Sequence, residues 1–194
     1  MISNTLFVAF LALVATPVHS LWPIPRTLDS GSKGLKLANG FAIQLQGQLV
    51  HSAPADLKDA VTRTVFQLKN DKLERLVVGG ASVDATKIAS AKQLSLLIVT
   101  LASNPKKALS ITDNANLPLG MRDESYTLHV PADGTPSVLT ADTTLGLFRG
   151  LTTFSQLWYT SGKTIYTVEA PFTIRDKPAY VRSLLGPSPS RAAC

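Results

Sequence analysis

The stretch DTTLGLFRGLTTFSQLWY, residues 142–159, limits the possible folds of this chain more than any other segment. Its apolar side chains follow helical spacing and form one stripe, which consists of Leu147, Leu151, Phe154 and Trp158. Gly146 and Gly150 lie one turn apart at the edge of that stripe, where each glycine costs a helix about 1 kcal/mol relative to alanine. We therefore expect this helix to lie very close to a neighbouring backbone.

The other side of the same helix is polar. Asp142 is the predicted N-cap, and the polar side carries Arg149, Thr152, Thr153 and Gln156. Two glycines at this spacing also occur in membrane helices, but those need an apolar span of about 20 residues, and the polar side chains here exclude one. We predict a packing helix whose Arg149 and Gln156 form a candidate interface with a partner domain.

Shorter patterns on both sides of this helix predict the fold class. Residues 41–50 alternate like a half-buried strand, residues 52–76 have the spacing of an amphipathic helix, and residues 94–102 form an apolar strand. Residues 124–141 have the alternation and central Asp-Gly of a β-hairpin, and residues 163–180 contain two short strands. The order β-α-β-loop-β-β-α-β-β predicts an α/β (α+β) domain, a mixed sheet with two helices packed on one face.

The N-terminal twenty residues are typical of a secretory signal peptide. An apolar run from Leu6 to Ala15 is followed by small residues, which predicts cleavage near Ser20 and an extracellular mature chain without a membrane span. No Lys or Arg precedes the run, and a buried first helix is the alternative. The single cysteine, Cys194, excludes an intrachain disulfide and a zinc site built on thiolates.

These patterns divide the chain into five segments. They are a signal peptide (1–20), an extended lead-in with the first strand-helix-strand unit (21–101), a loop (102–124), a hairpin-helix-strand unit (125–180) and a divergent tail (181–194). The loop is long and polar, and exposed loops are protease targets. Lys107, beside Lys106, is therefore a candidate processing site, and Arg122 is another; an uncut surface loop is the alternative.

The sequence contains no constellation that predicts catalysis, a metal or a cofactor. The net charge is +6, but the basic residues are scattered singly, which argues against a nucleic-acid partner. His51 and His129 belong to no zinc-binding pattern, and no nucleophile elbow is present. We interpret Gly79-Gly80 as a turn rather than a phosphate loop, and Asp123-Glu124 as solvated charges rather than a glycosidase pair.

Three blocks in the right order carry a family resemblance: RDESYTLHVP, LTADTTLGLFRGLTTFSQLWY and YTVEAPFTIRDKPAY. Together with LWPIP after the signal segment, they resemble the N-terminal domain of secreted fungal family 20 β-N-acetylhexosaminidases, from Leu21 to Tyr180. The resemblance implies a zincin-like α/β domain without zinc or catalytic residues. It also implies a following (β/α)8 barrel, whose Asp and Glu hydrolyse terminal N-acetylhexosamine from chitin oligomers and glycans.

The tail VRSLLGPSPSRAAC departs from the family, which continues into the first barrel strand. We therefore expect a truncated chain, inactive alone, with a missing or separate barrel domain as its partner and a full-length hexosaminidase dimer as a second one. The resemblance also implies processing of the segment after the signal as a propeptide, which suits a cut in the loop. The alternative function is a stand-alone secreted module that binds the full-length enzyme or chitin-like sugar.

Overall fold

A computed structural model describes residues 21–103, 108–118 and 120–177. The predicted signal peptide with Ser20, the candidate processing site Lys107 and the tail 181–194 lie outside these residues. The strands of the described part are β1 (Thr27–Leu45), β2 (Lys92–Leu101), β3 (Tyr126–Val130), β4 (Ser137–Ala141), β5 (Tyr159–Ser161) and β6 (Thr164–Asp176). The helices are α1 (Leu49–Ser52), α2 (Ala55–Asn70), α3 (Ala85–Ser90), α4 (Ile111–Ala115) and α5 (Thr144–Gln156), and a 3-10 helix covers Gly80–Asp84.

The six strands form one mixed sheet in the order β1-β2-β4-β3-β6-β5. β1 pairs in parallel with β2 and β2 in parallel with β4, whereas the β3–β4, β3–β6 and β5–β6 pairs are antiparallel. β1 also pairs antiparallel with β6, so that it has a neighbour on each side. The predicted fold class is confirmed. The predicted order was wrong at its end: the two short strands expected within residues 163–180 are one strand, β6, because β1 and β3 pair along it on both sides of Ala170, and β5 lies before it.

β1 is longer than the sequence indicates. Residues 21–40 were expected to form an extended lead-in, but β1 begins at Thr27 and the polar, glycine-containing stretch before Phe41 belongs to the strand. Its ladder partners are β6, from Thr27 opposite Arg175 to Lys36 opposite Tyr166, and then β2. The prediction was wrong because these hydrogen-bonding partners lie far away in the chain, and local composition does not reveal them.

The core lies between the sheet and the pair α2 and α5, which contact each other. The apolar stripe predicted for α5 is buried: Leu147, Leu151, Phe154 and Trp158 are at most 3% exposed. Phe154 stacks on Phe41 of β1 with ring centroids 5.8 Å apart and meets the ring of Trp158 edge-on at 5.5 Å. This arrangement gives the layer of two helices on one side of the sheet that the pattern predicts.

The two glycines of α5 lie where the helix approaches the sheet most closely. A Cβ atom at Gly146 would overlap the carbonyl oxygen of Ser125, and one at Gly150 would overlap the side chain of Leu139 in β4. The close approach to a neighbouring backbone that the sequence indicates is confirmed at Gly146, whereas at Gly150 the close neighbour is a side chain. The helix itself begins later than predicted: Thr143, not Asp142, is the N-cap, and its hydroxyl accepts from Gly146 N at 3.0 Å.

The predicted loop 102–124 contains structure of its own. α4 begins after Ser110, whose hydroxyl accepts from Asp113 N at 2.9 Å, and Asn114 donates to Thr144 Oγ1 of α5 at 2.9 Å. Thr112 N donates to Asp56 at the start of α2 at 3.0 Å. The described part of this segment is thus packed against both long helices and is not an unstructured connection.

Candidate functional site

Arg149, the first predicted interface residue, lies on the outer side of α5 and is partly used within the domain. Its Nε donates to Oε2 of Glu124 at 2.7 Å, while 46% of its side chain stays exposed. The Glu124 side chain is only 6% exposed, so the interpretation of Asp123-Glu124 as solvated charges was wrong. Asp123 also acts locally and accepts from Ser125 N at 2.9 Å. Burial of Glu124 favours this pairing, because an unpaired buried carboxylate is costly.

Gln156, the second predicted interface residue, holds the backbone of Trp22 by two hydrogen bonds. Trp22 N donates to Oε1 of Gln156 at 2.8 Å, and Nε2 of Gln156 donates to Trp22 O at 2.9 Å. Leu21 beside it is buried, yet the Trp22 side chain is 80% exposed and Ile24 is 72% exposed. The amide of Gln156 therefore does not point freely to a partner; it fixes the backbone of Trp22 at the end of α5.

A small cleft continues this surface between the ends of α2 and α5. It has a volume of about 120 Å³, and Gln156, Leu73 and Trp158 are among its lining residues. Leu73 is 56% exposed, and the buried Nε1 of Trp158 has no hydrogen-bond acceptor among the described residues. We call Trp22, Ile24, Leu73, Arg149 and Gln156 the α5 surface. It combines exposed apolar side chains with a half-exposed cation, the composition expected of a protein interface.

Thr153 does not belong to this surface, although the helical wheel places it on the polar side. It is 8% exposed, and its hydroxyl lies 2.6 Å from the hydroxyl of Tyr126 in β3. Thr152, next to it, is exposed and bonds back to Phe148 O at 3.0 Å. The polar side of α5 is therefore narrower than predicted, because β3 covers one of its edges.

A second cleft, which the sequence did not indicate, lies at the end of the sheet where β6 finishes. Its volume is about 330 Å³, and it brings Asp142 and Asp176 together with Arg26, Arg175 and Lys177. Asp176 Oδ1 accepts from Arg26 N at 3.2 Å. The cleft thus places two carboxylates beside three cations at one end of the sheet. These residues come from separate strand ends, so no local motif could have identified them.

The remaining sequence-based sites are placed as follows. Arg122, a candidate processing point, donates from Nε to Leu117 O at 2.5 Å. His51 lies in α1, and His129 lies on β3 with Nδ1 3.3 Å from Thr173 Oγ1. Gly79 and Gly80 both have positive φ, which fits the predicted turn. Among the described residues there is no group of three or more His, Cys, Asp or Glu that could hold a metal ion. No helix in the described ranges has the length and apolar character that crossing a membrane requires.

Comparison with known proteins adds a family to this geometry. A family model described as beta-acetyl hexosaminidase like matches residues 21–157. Beta-hexosaminidase 1 of Arabidopsis thaliana is 28% identical over 169 residues, which cover 82% of this chain and 28% of that protein. The chitobiase of Flavobacterium johnsoniae shares the fold with a TM-score of 0.53 at 21% identity, over 83% of this chain and 21% of that structure. The chain thus matches less than a third of the length of either relative.

Proposed function

Because the chain belongs to the beta-acetyl hexosaminidase-like family and contains the N-terminal domain of the family 20 hexosaminidases, we propose that this domain is a non-catalytic docking module. Its partner is the (β/α)8 catalytic domain of such an enzyme, which removes terminal N-acetylhexosamine from chitin oligomers and glycans. The domain stabilises and positions that barrel, and the chemistry of glycoside cleavage takes place there. On this proposal, residues 21–177 hydrolyse no glycoside by themselves.

The observation that carries this proposal is the pair of hydrogen bonds between Gln156 and Trp22. Two hydrogen bonds fix the backbone of Trp22 while the indole stays 80% exposed. An exposed aromatic side chain on a fixed backbone can serve as the anchor of a protein interface. Ile24 and Leu73 extend the apolar area, and Arg149 supplies a charge at its rim. A surface of this kind supports docking against a large partner.

Binding of the full chain to the isolated barrel domain of a family 20 hexosaminidase tests the proposal. We expect a stoichiometric complex in calorimetry, weakened by about tenfold in Trp22→Ala and in Gln156→Ala, because each removes or loosens the anchor. Gln44→Ala, an exposed glutamine on β1, is the matched control and should bind as the unchanged chain does. Equal binding by all variants would contradict the role of the α5 surface. Release of N-acetylglucosamine from an aryl glycoside by the chain alone, at an enzyme-like rate, would overturn the proposal.

The second candidate function is a stand-alone module that binds full-length hexosaminidase or chitin-like sugar. The exposed Trp22 ring favours it, because an exposed aromatic face can contact a sugar as well as a protein. Retention on chitin beads, lost in Trp22→Ala, would support the sugar-binding function. Retention by immobilised enzyme but not by chitin would support docking instead.

We also propose that the protein is secreted. The apolar N-terminal run supports this, and so does the start of the family match at residue 21, next to the expected cleavage near Ser20. Mass spectrometry of the exported chain should find Leu21 as its first residue. An exported chain that begins at Met1 would contradict signal cleavage.

A further inference from the structure

Another cleft, lined by three lysines, lies at the tip of the β3–β4 hairpin. Its volume is about 640 Å³, within the usual range for small-ligand pockets. Its charged and titratable lining residues are Lys33, Lys87, Lys92, His129 and Asp133. We call it the lysine cleft. The three lysines are exposed, and no described acidic side chain forms an ion pair with any of them.

Close backbone contacts bring the walls of the lysine cleft together. A Cβ atom at Gly34 of β1 would overlap the carbonyl group of Lys87, so α3 lies directly on β1. Gly134, at φ +87°, would place a Cβ 2.8 Å from Gln93 O and 3.5 Å from Lys92 Cβ. The hairpin tip and the start of β2 are therefore in contact as well. Three separate elements thus converge, and each contributes one lysine to the same opening.

The three lysines line one opening, and like charges that share an opening favour binding of an anion between them. Asp133 is the only acidic side chain in the described lining. Its Oδ1 accepts two hydrogen bonds from Thr135, one from N at 3.0 Å and one from Oγ1 at 2.6 Å. These hydrogen bonds, from the side chain first and then from the backbone, lower the pKa of Asp133. Asp133 therefore stays charged, and its second oxygen remains an acceptor.

We propose that the lysine cleft binds an acidic saccharide, a sugar chain that carries carboxylate or sulfate groups. The ammonium groups of the three lysines pair with the anionic substituents, and Asp133 and Ser32 bond the ring hydroxyls. Pro131 and Pro171 line the same cleft and offer apolar contacts for the ring faces. This mixture of cations, one acceptor carboxylate and apolar walls matches a ligand that is both charged and rich in hydroxyl groups.

Nucleic acid fits these residues less well. A single strand needs aromatic side chains on which its bases stack, and the described lining contains no Phe, Tyr or Trp. Arginine, the side chain that pairs with phosphate through two parallel hydrogen bonds, is also absent from the described lining.

Calorimetric titration of the full chain tests the proposal with four probes: a heparin-derived hexasaccharide, an oligogalacturonate, a chitin hexasaccharide and a short single-stranded DNA. We expect the two acidic saccharides to bind and their affinity to fall between about 50 and about 200 mM salt. Lys33→Gln/Lys87→Gln/Lys92→Gln should weaken this binding by about tenfold or more. The matched variant Lys58→Gln/Arg63→Gln/Lys72→Gln loses the same charge from exposed positions elsewhere and should change it by less than about twofold. Unaltered melting curves in circular dichroism confirm that both variants are folded.

Asp133→Asn separates saccharide recognition from simple attraction of anions. Loss of its free acceptor oxygen should weaken the acidic saccharides while inorganic sulfate binds more tightly, because a negative charge is removed. If both the acidic saccharides and inorganic sulfate bind more tightly to this variant, the cleft attracts any anion by charge alone, and the assignment to a saccharide is overturned. Three outcomes would overturn the site itself. The first is an equal loss of saccharide affinity in the two triple variants, and the second is DNA binding as tight as saccharide binding. The third is no binding of either acidic saccharide at the lower salt concentration.

Discussion

Tyr166 and Asp84, 82 positions apart in the chain, are joined by a hydrogen bond of 3.0 Å in which the buried phenol donates to Oδ2 of the carboxylate. Arg75 completes the cluster: its Nη1 donates to Oδ1 of Asp84 at 3.0 Å, and its Nη2 lies 3.5 Å from Glu169 Oε1. In the segment between α2 and α3, Leu76 is 98% exposed and Val78 is 100% exposed. Polar contacts to β6, rather than apolar burial, therefore hold the chain between α2 and α3.

Removal of this phenol tests that role. Tyr166→Phe should lower the free energy of unfolding by about 1–2 kcal/mol, because Asp84 loses one of its two partners. Amide hydrogen exchange in residues 75–84 should become faster. Tyr126→Phe, which breaks the hydrogen bond with Thr153 instead, is the control and should leave exchange in that segment unchanged. Unchanged exchange in Tyr166→Phe would show that other contacts hold the segment.

The same two tyrosines predict a loss of stability in alkali. Burial raises the pKa of Tyr126 to about 12, and burial followed by the hydrogen bond to Asp84 raises that of Tyr166 to about 12. A folded-state pKa above the ordinary value of 10.0 means that the folded protein binds the phenolic proton more tightly. The resulting stability is complete below pH 10.0 and is lost as the pH rises through about 12. Urea unfolding across this range should show the decline, and it should be shallower in Tyr166→Phe. A decline of the same steepness in both proteins would contradict the assignment.

Alanine at the two glycines of α5 tests how closely the helix must approach the sheet. Gly146→Ala would drive a methyl group into the carbonyl oxygen of Ser125, a backbone atom that cannot rotate away. We expect the free energy of unfolding to fall by about 1–3 kcal/mol, which is more than the higher helix propensity of alanine adds to it. Gly150→Ala meets the side chain of Leu139 and should cost less, since that side chain can shift. Gly40→Ala, with no atom within 4 Å of the added methyl group, is the control for thermal unfolding. Gly146→Ala that melts at or above the temperature of the unchanged chain would refute the close-packing argument.

Arg149 and Glu124 should be coupled. Arg149→Ala removes the cation that pairs with Glu124, whose carboxylate is only 6% exposed. We expect the free energy of unfolding to fall by about 1–2 kcal/mol. The effect is moderate because Arg149 itself is half-exposed. Glu124→Gln in the Arg149→Ala background removes the buried charge and should recover part of the loss. A double-mutant cycle in urea measures the coupling directly. Strictly additive effects of the two substitutions would show that the contact contributes nothing to stability.

The local periodicity of apolar residues was enough to predict the helices and strands that bury an apolar face. The hairpin between Tyr126 and Ala141 was predictable because alternating side chains and an Asp-Gly turn encode it within one short stretch. Leu147, Leu151 and Phe154 marked the buried side of α5 for the same reason. The two glycines indicated a close neighbour, although they did not reveal that it would be Ser125 O and Leu139.

Elements stabilised by distant polar partners were not predictable. The first half of β1 has no apolar alternation and is a strand because β6 pairs with it. α4 is short and polar, and its hydrogen bonds to Asp56 and Thr144 place it. The second cleft at Asp142 and Asp176 also joins residues from separate strand ends.

For this protein the sequence alone determined the fold class, the buried side of α5 and the resemblance to the hexosaminidases. Those properties depend on side chains that are close together in the chain. Only the tertiary structure decided what the polar side chains of α5 do: Arg149 pairs with Glu124, 25 positions away, and Gln156 holds Trp22, 134 positions away. A hydrogen bond depends on distance in space, and spacing along the chain carries no information about a partner that folding brings from elsewhere.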